Sequence, residues 1–199
     1  MKVKIKKKDK TEKFKLISSW EEVTLEKWLK LIEFHKKGKS EEALETIALL
    51  SNIPKDLINQ LELKDVALMM GKISELQKKQ SNNLKRIVKI DGTEYGFHPD
   101  LDSITLGEDA DIETFIKNDI QQHLPELCAV LYRPVKEKKN RIYTIEPYDG
   151  DISIRAEEMK KMSAEQVQNA LVFFYDFVKE LLWILPSFLT EKMKNMAKE

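Results

Sequence analysis

Cysteine is all but missing from this sequence: Cys128 is the only one in 199 residues. That excludes an intramolecular disulfide framework and a multi-cysteine zinc site, and it fits a reducing compartment such as the cytoplasm. Glycine is scarce as well. The six present are too scattered to build a phosphate-cradling loop, a dinucleotide fingerprint or a nucleophile elbow. The three histidines, His35, His98 and His123, stand far apart, without the two-histidine helical spacing and intervening glutamate of a zinc enzyme. No long apolar run follows the lysine-rich start, so a secretory signal is not expected. The longest apolar stretch, residues 170–185, carries Asp176, Lys179 and Glu180 and is too short and too charged to span a bilayer. These absences point to a cytoplasmic protein that is not an enzyme, holds no cofactor or metal and meets no membrane.

Net charge is absent too, 34 Lys+Arg against 34 Asp+Glu, yet it is unevenly spread. Residues 1–15 hold eight lysines opposed only by Asp9 and Glu12, so the remainder is acidic. Residues 1–19 read as a basic N-terminal arm. Lys4, Lys6, Lys7, Lys8 and Lys10 are its candidate contacts to phosphates or an acidic partner. A solvated, partly extended terminus accounts for the same residues. Arginine is absent from the lysine run and no aromatic residue precedes Phe14, which argues against base stacking.

What is present is a 42% hydrophobic, 34% charged composition, that of a globular chain with many solvated helix faces. Thr24 is placed to cap a helix carrying Leu25, Trp28, Leu29, Leu31, Ile32 and Phe34, which Lys36, Lys37 and Gly38 end. Ser40 is placed to cap a second, Pro54 to open a short third, and residues 65–79 form a fourth. The period then changes. Ile87–Ile90, Asp91-Gly92 and Thr93–Phe97 read as a hairpin on a type I′ turn, with Ile90 opposite Thr93, Lys89 opposite Glu94 and Val88 opposite Tyr95. Thr105 and Glu108 have capping-box spacing. A helix follows from Leu124, with Arg133-Pro134 as its stop. Residues 136–140 read as an exposed loop, 142–145 as a short strand, 151–162 as a helix, and Ser163 with Gln166 as a second capping box before the apolar helix 167–185. The predicted fold is mainly α (α+β): two helical lobes, 20–80 and 86–199, with one small β-hairpin and a third short strand.

Few residues carry chemistry. Cys128 lies among Leu127, Ala129, Val130 and Leu131, with no cationic neighbour to activate it. Glu108, Asp109, Asp111 and Glu113 form an acidic patch at the start of a helix, where the dipole favours acids; Asp109 and Glu113 share a face while Asp111 points elsewhere, so they do not converge as metal ligands would. Asp100 and Asp102 are explained by turn chemistry. The helix containing 170–177 is apolar nearly all round and must be enclosed or meet a partner.

A resemblance covers about residues 20–185. It is carried by Asp91-Gly92-Thr93-Glu94-Tyr95, by Asp102-Ser103-Ile104-Thr105-Leu106-Gly107 leading into Asp111-Ile112-Glu113, and by Leu127-Cys128-Ala129-Val130-Leu131-Tyr132-Arg133-Pro134. Tyr143, Glu146-Pro147-Tyr148-Asp149, Arg155-Ala156-Glu157 and Ala170-Leu171-Val172-Phe173-Phe174 follow in order. This series resembles small proteins of tailed bacteriophages and prophages, especially of Bacteroidetes hosts, grouped with tail-assembly chaperones or with small structural-module proteins. The resemblance implies a helical, non-enzymatic protein that binds hydrophobic segments of tape-measure or tail-tube proteins during tail morphogenesis. Its candidate surface is an apolar groove between lobes with Trp20, Trp28, Phe34 and Trp183 as aromatic anchors, each equally readable as core. Two alternatives stay open. One is a structural virion protein, a connector or tail-completion subunit, forming a homo-oligomer through the apolar C-terminal helix. The other is a nucleic-acid-binding protein using the lysine arm.

Overall fold

The computed structural model describes residues 2–7, 10–79 and 83–176. Two antiparallel strands open the chain, β1 (Lys2–Lys7) and β2 (Lys10–Lys15). Val3 pairs with Phe14 and Ile5 with Glu12, and strand alternation puts these positions on one face. Val3, Ile5 and Phe14 pack on the N-terminal core, so the segment expected to be an arm is anchored as a ribbon.

Four helices complete this lobe: α1 (Leu25–Phe34), α2 (Lys39–Leu50), α3 (Lys55–Ile58) and α4 (Leu63–Lys78). Thr24 caps α1, its hydroxyl accepting the Lys27 amide at 3.3 Å. Gly38, not Ser40, holds the cap position of α2 and does so on extended backbone without a side-chain bond. The core is built on Leu16, Trp20, Val23, Ile47, Leu50 and Ile73.

The second lobe begins with β3 (Ile87–Ile90) and β4 (Thr93–Phe97), in the register read from the sequence. Asp91 (φ 47°) and Gly92 (φ 90°) supply the two left-handed residues of the turn. The chain then forms α5 (Leu106–Lys117) and α6 (Leu124–Leu131), and α6 passes without a loop into β5 (Tyr132–Lys139). Strand β6 (Ile142–Ile145) returns beside it, α7 (Ser153–Met159) follows, and residues 164–176 form the described part of α8. A buried Leu127–Tyr132 run at the α6–β5 junction sits at the centre of the core, with Phe97, Met159 and Val167 around it.

The mainly helical reading with a single hairpin is overturned. Among the described residues six strands form two antiparallel sheets, ordered β1-β2 and β3-β4-β5-β6, and the fold is α+β. Three of the missed strands were hidden by lysine. In β5 the 136–139 stretch is solvent-exposed and looks like a loop in composition, but β6 pairs with it and Lys138 Nζ reaches Glu94 of β4 at 3.1 Å. Arg133-Pro134 does end the helix, yet the chain continues as strand. The second capping box is half formed: the Gln166 amide reaches Ser163 Oγ at 3.3 Å, while the Gln166 side chain accepts from the Lys85 amide at 2.9 Å.

The lobes meet along a backbone seam. Helix α1 begins where α7 has just ended, and its first amides, Leu25 and Glu26, donate to the carbonyls of Met162 (2.7 Å) and Lys160 (2.9 Å). Amides at a helix start and carbonyls past a helix end have no partner in their own helix, so here each end satisfies the other. The Ala164 amide returns a bond to Val23 O at 2.7 Å. Across the seam, Leu25 is buried in the second core and Ala164 in the first.

Candidate functional site

Two cavities lie side by side in the N-terminal lobe. The first, about 260 Å³, is walled by Trp20, Trp28 and Leu31 from one side and Met70 and Ile73 of α4 from the other. The second, about 740 Å³, continues from Glu42 and Met70 along α2, α3 and α4, past Leu44, Ile58, Leu61, Val66 and Ala67. The larger is within the ordinary size of ligand pockets. Leu63, which also lines it, is 85% exposed. The pair therefore makes one apolar groove with an aromatic end.

The helical period explains how the residues converge. On α1, Trp28, Leu31 and Ile32 share the stripe that faces α2 and α4, and Val66, Met70 and Ile73 repeat that spacing on α4. The polar lining comprises His35, Glu42, Thr46, Ser74 and Gln77 in the first cavity, and the second adds Lys39, Ser40 and Asn59. The Trp20 indole N–H is buried without an acceptor. His35 Nδ1 meets Glu42 Oε1 at 2.5 Å on the rim. Ser74 lines the same cavity, but no hydrogen bond joins it to His35, so the nucleophile-to-base contact of a hydrolytic triad is not made.

Trp20 and Trp28, both named from the sequence, thus share a cavity. It lies within the first lobe, not between lobes. Phe34 lines neither cavity; it packs on the first core with the Lys37 ammonium 5.5 Å above its ring. Trp183 lies outside the described residues, as does Lys8. Lys4, Lys6, Lys7 and Lys10 fall on the β1–β2 ribbon.

The sequence reading missed a buried charge cluster in the second lobe. Glu108 is 1% exposed and Arg133 4%; Arg133 Nη2 lies 2.6 Å from Glu108 Oε1, and His98 Nε2 3.6 Å from the same oxygen. The other carboxylate oxygen accepts the Thr105 hydroxyl at 2.6 Å and the Thr105 amide at 2.7 Å. Burial pushes the Glu108 carboxyl up, but the Thr105 bonds and Arg133 outweigh it and hold the group below its ordinary value. Burial also lowers His98. Above Arg133 lies the Tyr148 ring, 5.8 Å away, whose hydroxyl bonds Asp111. The capping box was legible, but the partner from β5 was not, because no local pattern links Thr105-x-x-Glu108 to Arg133. The cluster joins β4, α5 and β5 and opens onto neither cavity.

The remaining candidates resolve simply. Cys128 is fully buried and its thiol is pushed up to about 12 by burial, so it is not a thiolate at neutral pH. Asp100 accepts the Asp102 amide at 3.1 Å in a turn. Among the described residues no group of three or more His, Cys, Asp or Glu is placed to hold a metal ion, and no helix is long and apolar enough to cross a membrane. Compared with protein-family models, with curated proteins and with solved structures, the chain matches none.

Proposed function

We propose that this protein is a non-enzymatic assembly factor of a tailed bacteriophage, acting in the host cytoplasm, that shelters an apolar segment of a tape-measure or tail-tube protein until the tail is built. The observation that carries this reading is the groove: Trp20 and Trp28 line the smaller of two adjoining, mainly apolar cavities, and the larger is lined in part by the exposed Leu63. Such a groove fits an amphipathic helix laid lengthwise, with its largest side chain seated between the tryptophans. The resemblance of residues 20–185 to tail-assembly proteins supplies the partner class.

Co-expression with the tail protein tests it. Wild type is expected to hold that protein in the soluble fraction and to co-purify with it. Ala67→Arg places a charge on the exposed wall of the larger cavity and is expected to abolish both effects with an unchanged melting temperature. Tail-protein solubility that is the same with and without this chain ends the proposal. A stoichiometric signal in purified virions would make the protein a building block instead.

A further inference from the structure

The β1–β2 ribbon has two unlike faces. Its register sets Lys2 opposite Lys15, Lys4 opposite Lys13 and Lys6 opposite Thr11. These positions alternate with Val3, Ile5 and Phe14, which pack on the first core, so the register assigns Lys2, Lys4, Lys6, Lys13 and Lys15 to the opposite face of the ribbon, where Lys15 Nζ already meets Glu22 Oε2 at 3.4 Å. Like charges directly opposite across a ladder destabilise it. The first 15 residues carry a net +6 and the rest of this neutral chain −6, so the positive charge is concentrated at one end.

We infer that this lysine face is a contact surface for the phosphate backbone of duplex nucleic acid. A two-stranded ribbon is narrow enough for the major groove, about 12 Å wide, and residues two apart on a strand stand roughly 6.7 Å apart, which gives a regular double row of point charges. Lysine without arginine favours phosphate contact over base reading. The single aromatic residue of the ribbon, Phe14, is on the core side, so the surface lacks the stacking groups that hold single strands. The acidic remainder of the chain repels a polyanion, which limits contact to this end.

The test is fluorescence anisotropy of the full chain with a mixed-sequence 20-base-pair DNA duplex, from 50 to 300 mM NaCl. About four phosphate contacts, from Lys2, Lys4, Lys6 and Lys13, give a log–log salt slope of roughly −4. Lys4→Gln with Lys13→Gln is expected to reduce the slope by about 2, and Lys4→Glu with Lys13→Glu to remove binding, both with unchanged circular dichroism. Deleting the ribbon is the poorer test, because it also strips Val3, Ile5 and Phe14 from the core. A slope near −1, wild-type binding by the charge-reversed variant, or tighter binding of the single-stranded 20-mer overturns the inference. So does displacement of the duplex by polyglutamate at equal charge, which would assign the surface to an acidic protein.

Discussion

His98 is a neutral residue by position. It is 7% exposed, shares a carboxylate with Arg133, and has its pKa lowered by burial. Between the ordinary value of 6.5 and its lower folded value, the unfolded chain binds a proton that the folded chain refuses. Stability therefore rises with pH across that window and falls as the solution is acidified through it. Glu108 acts lower down: its depressed pKa gives stability that is complete above the ordinary 4.5 and lost as pH falls through the folded value. Urea unfolding should show the loss beginning as the pH falls through the ordinary histidine value of 6.5, while Glu108, held below 4.5, is still ionised. His98→Gln should flatten that upper window and leave the lower one. Equal slopes in variant and wild type would mean that His98 takes up its proton without cost to the fold.

At the scale of elements, the second sheet depends on one glycine. A Cβ on Gly96 of β4 would lie 2.5 Å from Tyr143 Cε2 and 2.9 Å from Ile145 Cγ2, both on β6. The Tyr143 ring is held there by its hydroxyl, which donates to Phe97 O at 2.6 Å and sits 3.2 Å from Arg86 O. Because the ring is fixed, Gly96→Ala should destabilise by about 1–3 kcal/mol, read as a lowered midpoint in denaturant. A midpoint equal to wild type would show that β6 shifts freely. The same sheet shows what the sequence made legible. The β3–β4 hairpin was readable to the residue because Asp91-Gly92 dictates its turn and alternating apolar residues dictate its faces. Strands β1, β2 and β5 were not: their hairpin partners are close in sequence, Lys7 opposite Lys10 and Lys139 opposite Ile142, but lysine-rich composition masks the alternation, and the first core and Glu94 that also hold them are distant. Trp20 and Trp28 were legible as aromatic candidates, but the cavity they line needs Met70 and Ile73 from a helix whose docking no periodicity reports. Phe34 shares their chemistry and not their position, because it lies off the Trp28, Leu31, Ile32, His35 stripe that lines the cavity.

The whole molecule is joined where one helix starts against the end of another. Three backbone bonds cross at this seam, Leu25 to Met162, Glu26 to Lys160 and Ala164 to Val23, and Thr24 pairs with Ser163 between them. Each lobe also inserts a fully buried side chain into the other's core, Leu25 in one direction and Ala164 in the other. Neither core is complete without the other lobe, so the two should unfold together. In a Trp28→Phe, Trp183→Phe background, where Trp20 reports on the first lobe, fluorescence and calorimetric transitions should coincide. Leu25→Ala removes the larger of the two inserted side chains. It should cost about 2–5 kcal/mol, and the loss falls on the second core although the residue belongs to a helix of the first lobe. The expected result is a split in which the calorimetric transition precedes the tryptophan signal, because the weakened lobe unfolds before the lobe whose core holds Trp20. Coincident transitions at a lower temperature would instead show that the three backbone bonds are enough to couple the lobes. The seam also sets a limit on the groove: α1 supplies both the Leu25 insertion and the Trp28 wall, so a partner seated against Trp28 rests on an element already fixed at its first turn by the second lobe.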